Sequence, residues 1–402
     1  MQTEQKKLKK GGLIALVTVL GMAPPLSTDM YMPSLPKMAT EFGTPAFYVN
    51  LTLIVFFIFM AVGMLIMGPM SDRYGRKKIL ILSLILYGIG SAACVFAMNV
   101  WFMILVRIVE SLGAGGMVSL SVAIIKDCFD GKTRAAALAT VQSMSVIAPI
   151  ASPVVGAIIL QFSTWRTVFV VLTCVSVVCI IGGLLFEESI HEEEITDGGI
   201  KDAAGRMMRI CRNRNFTPFL LSVSLFSAPF MGYLAVASYI YEDYFGLSPT
   251  MFSVFFAINA LTSVFGPMIY MRINSRVSAK ASMWVLLMVG SAAAMAMFVF
   301  GRLSPVAFLC TMIPFSIAGS YTRPYSTNIL LDQIRGDTGA ASSLLNFTHF
   351  IFGAMGMIIG SLPWSGYVNG IAVTMGIFML LSAACWLLVL NNKKISMTGI
   401  HK

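Results

Sequence analysis

Apolar runs of 20 residues or more recur along the 402-residue chain, at about 12–33, 47–69, 79–98, 101–125, 134–160, 165–186, 217–241, 250–271, 280–300, 304–331, 338–362 and 367–390. A helix of about 20 apolar residues spans the hydrocarbon of a bilayer. Lipid offers no water to the backbone, so each run must close its own hydrogen bonds as helix. The chain is therefore expected to be an all-α membrane protein with twelve transmembrane helices. Charged residues make up 11% of the positions, against about 25% in a soluble domain, so little of the chain is left outside the bilayer. The net charge of +10 is gathered in short clusters between apolar runs, which argues against a nucleic-acid partner.

One of those clusters is the turn Gly68-Pro69-Met70-Ser71-Asp72-Arg73-Tyr74-Gly75-Arg76-Lys77-Lys78. It is too short and too charged to lie in hydrocarbon, and its Lys/Arg content assigns it to cytoplasmic water. A looser echo, Gly266-Pro267-Met268-Ile269-Tyr270-Met271-Arg272, occurs 198 residues later, again between two apolar runs. The only long polar segment, Glu187–Asn215, opens acidic and ends basic, and it separates the sixth run from the seventh. The expected plan is two six-helix, pseudo-symmetric bundles, 1–186 and 216–402, joined by a cytoplasmic linker at 187–215. With both termini inside, 23 of the 28 Lys and Arg fall on the cytoplasmic side and three (Lys37, Arg166, Arg302) on the outer side. That asymmetry fixes the orientation and argues against an odd number of spans. The first run contains Pro24-Pro25 and Asp29 and lacks a small-residue cleavage site, so it reads as a retained helix rather than a signal peptide.

The seven cysteines are scattered through or beside apolar segments with no C-x-x-C, and His191, His349 and His401 form no cluster. No metal site and no cofactor are expected. Neither H-E-x-x-H nor G-x-S-x-G occurs, which argues against an enzyme.

Charges inside hydrocarbon cost at least ~2.5–3.5 kcal/mol each on insertion scales, so the few present need reasons. Asp29 lies about 26 Å up the first helix from Gly12, and Arg107 about 9 Å below the outer end of the fourth. The two are thus at similar depth. Glu110 follows Arg107 by one helical turn, close enough to pair with it. Two readings stand: an ion-paired rivet between the first and fourth helices, or a protonatable carboxylate beside a cation that sets its behaviour. Glu110 itself is open between a relay partner for Arg107, a second proton carrier and a mute residue.

The pattern G-x-x-x-D-R-x-G-R-[RK]-[RK] of Gly68–Lys78 resembles the loop between helices 2 and 3 of the major facilitator superfamily. Ser27-Thr28-Asp29-Met30-Tyr31-Met32-Pro33-Ser34-Leu35-Pro36, Leu51-Thr52-Leu53 and Ala148-Pro149-Ile150-Ala151-Ser152-Pro153-Val154-Val155-Gly156 are similar to the bicyclomycin/chloramphenicol-resistance (Bcr/CflA) group of drug:proton antiporters. Trp165-Arg166-Thr167-Val168-Phe169, Tyr244-Phe245-Gly246-Leu247-Ser248-Pro249 and Gly339-Ala340-Ala341-Ser342-Ser343-Leu344 extend the likeness over nearly the whole chain. The resemblance implies proton coupling through Asp29 and Arg107, and an antiporter motif at Pro149, Pro153 and Gly156. This chain departs from the group at Glu110-Ser111, where Gln-Gly is usual, and at Met64, where Gln is frequent. Arg323, in Tyr321-Thr322-Arg323-Pro324-Tyr325, is not part of the pattern.

Physical readings accompany these motifs. Gly68 and Gly75 permit close backbone approach, and Arg73 and Arg76 follow the central acid. Asp72 either accepts from the N-terminus of the eleventh helix near Asp337-Thr338-Gly339, forming a conformational gate, or is simply solvated. Pro149, Pro153 and Gly156 put a kink and a small-residue face on the fifth helix, for packing or for flexing. Tyr31, Tyr233, Tyr239, Asn259 and Asn346 are either substrate contacts or helix-to-helix hydrogen bonds, and Arg323 suits an anionic substrate. The expected function is proton-coupled antiport, exporting small amphipathic compounds from the cytoplasm by alternating access. The alternative is a dedicated metabolite exporter or a proton symporter. Its partners would be a small-molecule substrate, protons and the bilayer, and the expected form is a monomer in the cell inner membrane.

Overall fold

The computed structural model describes residues 7–190, 200–333 and 338–391. Among them no strand occurs, and twelve helices are long and apolar enough to cross a membrane. They are α1 (Lys10–Glu41), α2 (Ala46–Tyr74), α3 (Arg76–Val95), α4 (Val100–Cys128), α5 (Gly131–Phe162) and α6 (Trp165–Leu185), then α7 (Thr217–Tyr244), α8 (Pro249–Ile273), α9 (Ala279–Phe300), α10 (Pro305–Leu331), α11 (Gly339–Gly360) and α12 (Tyr367–Asn391). The acidic stretch 192–194, His191, His401 and Asp337, the last named as a neighbour for Asp72, lie outside the described residues. A further helix, Ile200–Cys211, lies between α6 and α7.

The spans are not all unbroken, and proline accounts for several interruptions. In α1 the regular helix stops at Asp29 and a 3₁₀ turn, Met32–Ser34, leads to the short helix Leu35–Glu41. Pro33 and Pro36 offer no N–H to the ladder there, which forces the change. α8 breaks at Val264, ahead of Pro267. Pro267 cannot bond the carbonyl of Ser263, and Ser320 on α10 donates to that carbonyl instead at 2.5 Å. α7 ends in a π-helical turn, Tyr239–Tyr244, a type of irregularity frequent at functional positions.

The chain divides into two compact units, Met1–Ala203 and Ala204–Lys402. Inside the first, α2 and α3 pack along α4, α3 also along α6, and α1 against α5 and α4. Inside the second the same scheme recurs: α8 and α9 pack along α10, α9 along α12, and α7 against α11. Glycine makes the α1–α5 and α7–α11 approaches possible. A Cβ on Gly156 would sit 1.8 Å from the Met30 carbonyl oxygen, and one on Gly356 would sit 1.8 Å from that of Ala228. Between membrane helices such small-residue contacts provide close packing where no hydrophobic drive exists.

Candidate functional site

In the first unit the centre of the polar interior is Arg107 on α4, which is completely buried, as is Glu110. Their i, i+3 spacing puts both on one face, and Arg107 Nη1 donates to Glu110 Oε2 at 2.8 Å. Ser91 of α3 donates to the other carboxylate oxygen at 3.1 Å, and the Cys94 thiol approaches Oε2 at 3.7 Å. Arg107 Nε reaches the Thr52 carbonyl of α2 at 3.4 Å. The guanidinium lies 4.2 Å from the ring centre of Phe56, 4.9 Å from Tyr31 and 5.8 Å from Phe169. This aromatic cage suits a desolvated guanidinium, whose planar charge is attracted to ring faces. Nη2 alone has no hydrogen-bond partner.

Asp29 closes the regular part of α1 and is 6% exposed. Its carboxylate accepts from the Thr28 hydroxyl at 2.8 Å, and it forms no ion pair among the described residues. The depth argument from sequence set Asp29 beside Arg107 as a rival to Glu110. In this structure Glu110 is the acid that pairs with the cation among the described residues, since the i, i+3 geometry within one helix holds the pair without an acid from α1. The next residue, Met30, is the one whose carbonyl meets Gly156 on α5. The Pro149–Pro153–Gly156 helix thus packs directly beside the acid. Pro153 and Gly156 are buried, and Pro149 is half-buried.

At the α2–α3 turn, Arg76 is the hub. Its Nη1 pairs with Asp72 and donates to the Ser71 hydroxyl at 2.6 Å, while Nε donates to Asp127 at 2.8 Å. Asp127 sits near the end of α4, so the network ties three helix ends together. Gly75 has φ of 100°, in the left-handed region. Its missing side chain leaves room for Glu188, whose carboxylate accepts from the Arg76 and Lys77 amides at 2.8 and 3.1 Å. A carboxylate on the free N–H groups of a helix start is stabilising. Gly68 faces Ser119 on α4, and Arg73 is exposed beside Tyr74. Asp127 and Glu188 carry no motif of their own. Asp127 had one usable signal, an acid ending α4 on the same side as a basic turn.

Most of the polar residues considered as substrate contacts are sealed inside their units. Thr52 spends its proton on the Val49 carbonyl at 2.6 Å, so Tyr31 donates to Thr52 Oγ1 at 2.8 Å across α1 and α2. Asn259 of α8 accepts from Ser316 of α10 at 2.9 Å, and Tyr233 stacks on Phe256 with ring centres 6.0 Å apart. Tyr239 is buried against Tyr367. Arg323 and Asn346 differ, because Arg323 is exposed and Asn346 half-buried.

A family model described as Major Facilitator Superfamily matches residues 17–357. An uncharacterized MFS-type transporter, YdgK of Bacillus subtilis (strain 168), is 26% identical over 390 residues, covering 95% of this chain and 94% of the relative. A bicyclomycin resistance protein homolog of Haemophilus influenzae is 24% identical over 398 residues, covering 96% of this chain and 98% of the relative. Among solved structures, the inward-facing, unoccupied form of a bacterial homolog of the human lysosomal transporter Spinster superposes with a TM-score of 0.76 at 15% identity, covering 96% and 97% of the two chains. With twelve spans in this fold and a family match over most of its length, the chain belongs to the Major Facilitator Superfamily and is a multi-pass membrane transporter.

Proposed function

We propose that this transporter exports small amphipathic compounds, drugs among them, from the cytoplasm by alternating access, in exchange for protons. The observation that carries the reading is Asp29, a nearly buried carboxylate in a membrane helix with a hydroxyl for company and no ion pair among the described residues. An acid in such a place is a default candidate for a proton relay. Among the described residues Arg107 Nη2 has no acceptor and Asp29 has no ion pair, so proton release from Asp29 would favour a contact between the two. While Asp29 holds its proton, Glu110 keeps the Arg107 charge paired. The full-length likeness to a bicyclomycin resistance protein homolog supports a drug substrate.

In the same reading Gly68, Asp72, Arg73, Gly75 and Arg76 set the balance between conformations, and Pro149, Pro153 and Gly156 position α5 against the proton site. The protein acts as a monomer in the cell inner membrane with both termini in the cytoplasm, as bundles 1–186 and 216–402 joined by 187–215. The test is flux of chloramphenicol in proteoliposomes under an imposed pH gradient. Wild type is expected to move it uphill against proton flow, and Asp29→Asn to insert normally yet lose uphill movement. Uphill transport by Asp29→Asn at the wild-type rate would overturn the assignment. A symporter on the same scaffold is the second reading, and the direction of flux in that assay separates the two.

A further inference from the structure

The second unit holds a charge that none of its described residues pairs with. Arg323 lies on α10, eight residues before Leu331 ends that span. Its side chain is exposed. It has no ion pair among the described residues, and its neighbours Ser326 and Thr327 donate to its carbonyl rather than to its side chain. The acids in the spans of this unit are remote along the chain: Glu242 and Asp243 close α7 in its π turn. Asp332 follows nine residues later, about 14 Å along the helix axis.

Around Arg323 the surface is open. Gly319, one turn earlier on the same face, has nothing within 4 Å of where a Cβ would be. α11 packs against α10 and presents His349, near enough for the guanidinium to act electrostatically on its ring. Asn346 lies one turn before His349, and both are half-buried, with no side-chain hydrogen bond among the described residues. Exposed positions elsewhere on these spans, such as Met355, Ile358 and Val306, are apolar, as lipid requires. An arginine without an ion pair, with a histidine and an asparagine on the helix packed against its own, is not a lipid-facing set.

We propose that Arg323, with His349 and Asn346, forms an anion-recognition subsite for the carboxylate of the transported compound. The inference rests on the transporter reading and adds molecules with an anionic head to the compounds it would carry. The guanidinium fork matches a carboxylate bidentately, and the carboxylamide and ring N–H groups add donors. Arg107, by contrast, already has Glu110 and offers a ligand little.

The experiment uses purified full-length protein in phosphatidylcholine nanodiscs, so that no anionic lipid headgroup competes. Binding of benzoate, octanoate and 1-naphthoate is compared with that of their primary amides, for wild type, Arg323→Lys, Arg323→Gln and His349→Gln. Wild type is expected to bind at least one carboxylate about tenfold more tightly than its amide, as a charge-assisted bidentate contact would give. Arg323→Gln should abolish that preference, Arg323→Lys should keep part of it, and His349→Gln should weaken it. Arg323→Lys also controls for folding, since it keeps the charge. The proposal is overturned if no carboxylate is preferred by wild type, or if the preference survives Arg323→Gln. It is likewise overturned if adding phosphatidylglycerol at equal total lipid removes the preference, which would make a lipid headgroup the occupant. Failure of the transporter reading would show differently, as no flux of any compound in proteoliposomes.

Discussion

Arg107 and Glu110 are a buried pair whose cost and function can be separated. Both are completely buried, and each is satisfied mainly by the other. Removing one member of such a pair leaves an uncompensated charge, at about 3–5 kcal/mol, whereas replacing both with apolar residues is often neutral. Glu110→Leu and Arg107→Met are each expected to lower resistance to unfolding in detergent by roughly that amount. The double variant is expected to recover most of the loss. Its transport then decides what the pair is for: stability regained with uphill flux still absent assigns Arg107 to coupling. Recovery of both would leave the pair as a rivet between α4 and its neighbours. The Glu110 contact was readable from the i, i+3 spacing alone. The aromatic cage was not, because Tyr31, Phe56 and Phe169 come from three different helices.

Among elements, the junction of α2 and α3 is where local chemistry meets long-range contact. The sequence carries the turn plainly, through two glycines, an acid and four basic residues. It does not carry Glu188, whose bonds to the Arg76 and Lys77 amides join residues 112 and 111 positions apart. No local pattern encodes that distance. Substituting Gly75 by Ala forces a side chain into φ of 100° and sets its Cβ 2.5 Å from Glu188 Oε2. Glu188→Gln is milder: it keeps the acceptor but removes a charge worth about 0.3–1 kcal/mol at a helix N-terminus. Amide exchange at 76–79 is expected to speed up in both variants, more in Gly75→Ala. Turnover should slow while equilibrium binding of substrate stays nearly intact, because the turn joins the ends of α2 and α3 about a hydrocarbon thickness from Asp29. A large loss of binding with unchanged exchange would refute the role. The breaks in α1, α7 and α8 follow a similar rule. Pro33, Pro36 and Pro267 accompany the interruptions of α1 and α8, whereas the π turn at Tyr239–Tyr244 contains neither proline nor glycine.

On the scale of the whole molecule, the twelve spans were legible because each must satisfy its backbone alone in lipid. The pairing of those spans was legible only as a duplication, through the echo of Gly68-Pro69-Met70 at Gly266-Pro267-Met268. Which helices touch is set by small residues such as Gly156 and Gly356, which look like any other glycine in a run of apolar residues. The unbalanced charge of Arg323 was visible, but its exposure and its neighbour His349 required the fold. Orientation remains a matter of charge counting, and it can be tested directly. Three of the 28 Lys and Arg lie on the side assigned as outer, and 23 on the side assigned as cytoplasmic. Reversing the chain would place those 23 outside, against the bias that sets topology in short loops. Alkaline phosphatase folds only where disulfides form, so its activity reports export to an oxidising compartment. Fusions truncated after Gly43, Ser163, Gly246 and Gly301 are expected to be active. Those after Gly75, Asp130, Arg212, Asn274 and Asn391 are expected to be inactive. The decisive pair is Arg212 and Gly246, which flank α7: the strongly basic end of the linker should hold the first inside, and one more span should carry the second out. Activity after Arg212, or none after Gly246, would show that the second unit enters the membrane in the opposite sense, and the cytoplasmic assignment of the Gly68–Lys78 turn would then have to be tested apart from it.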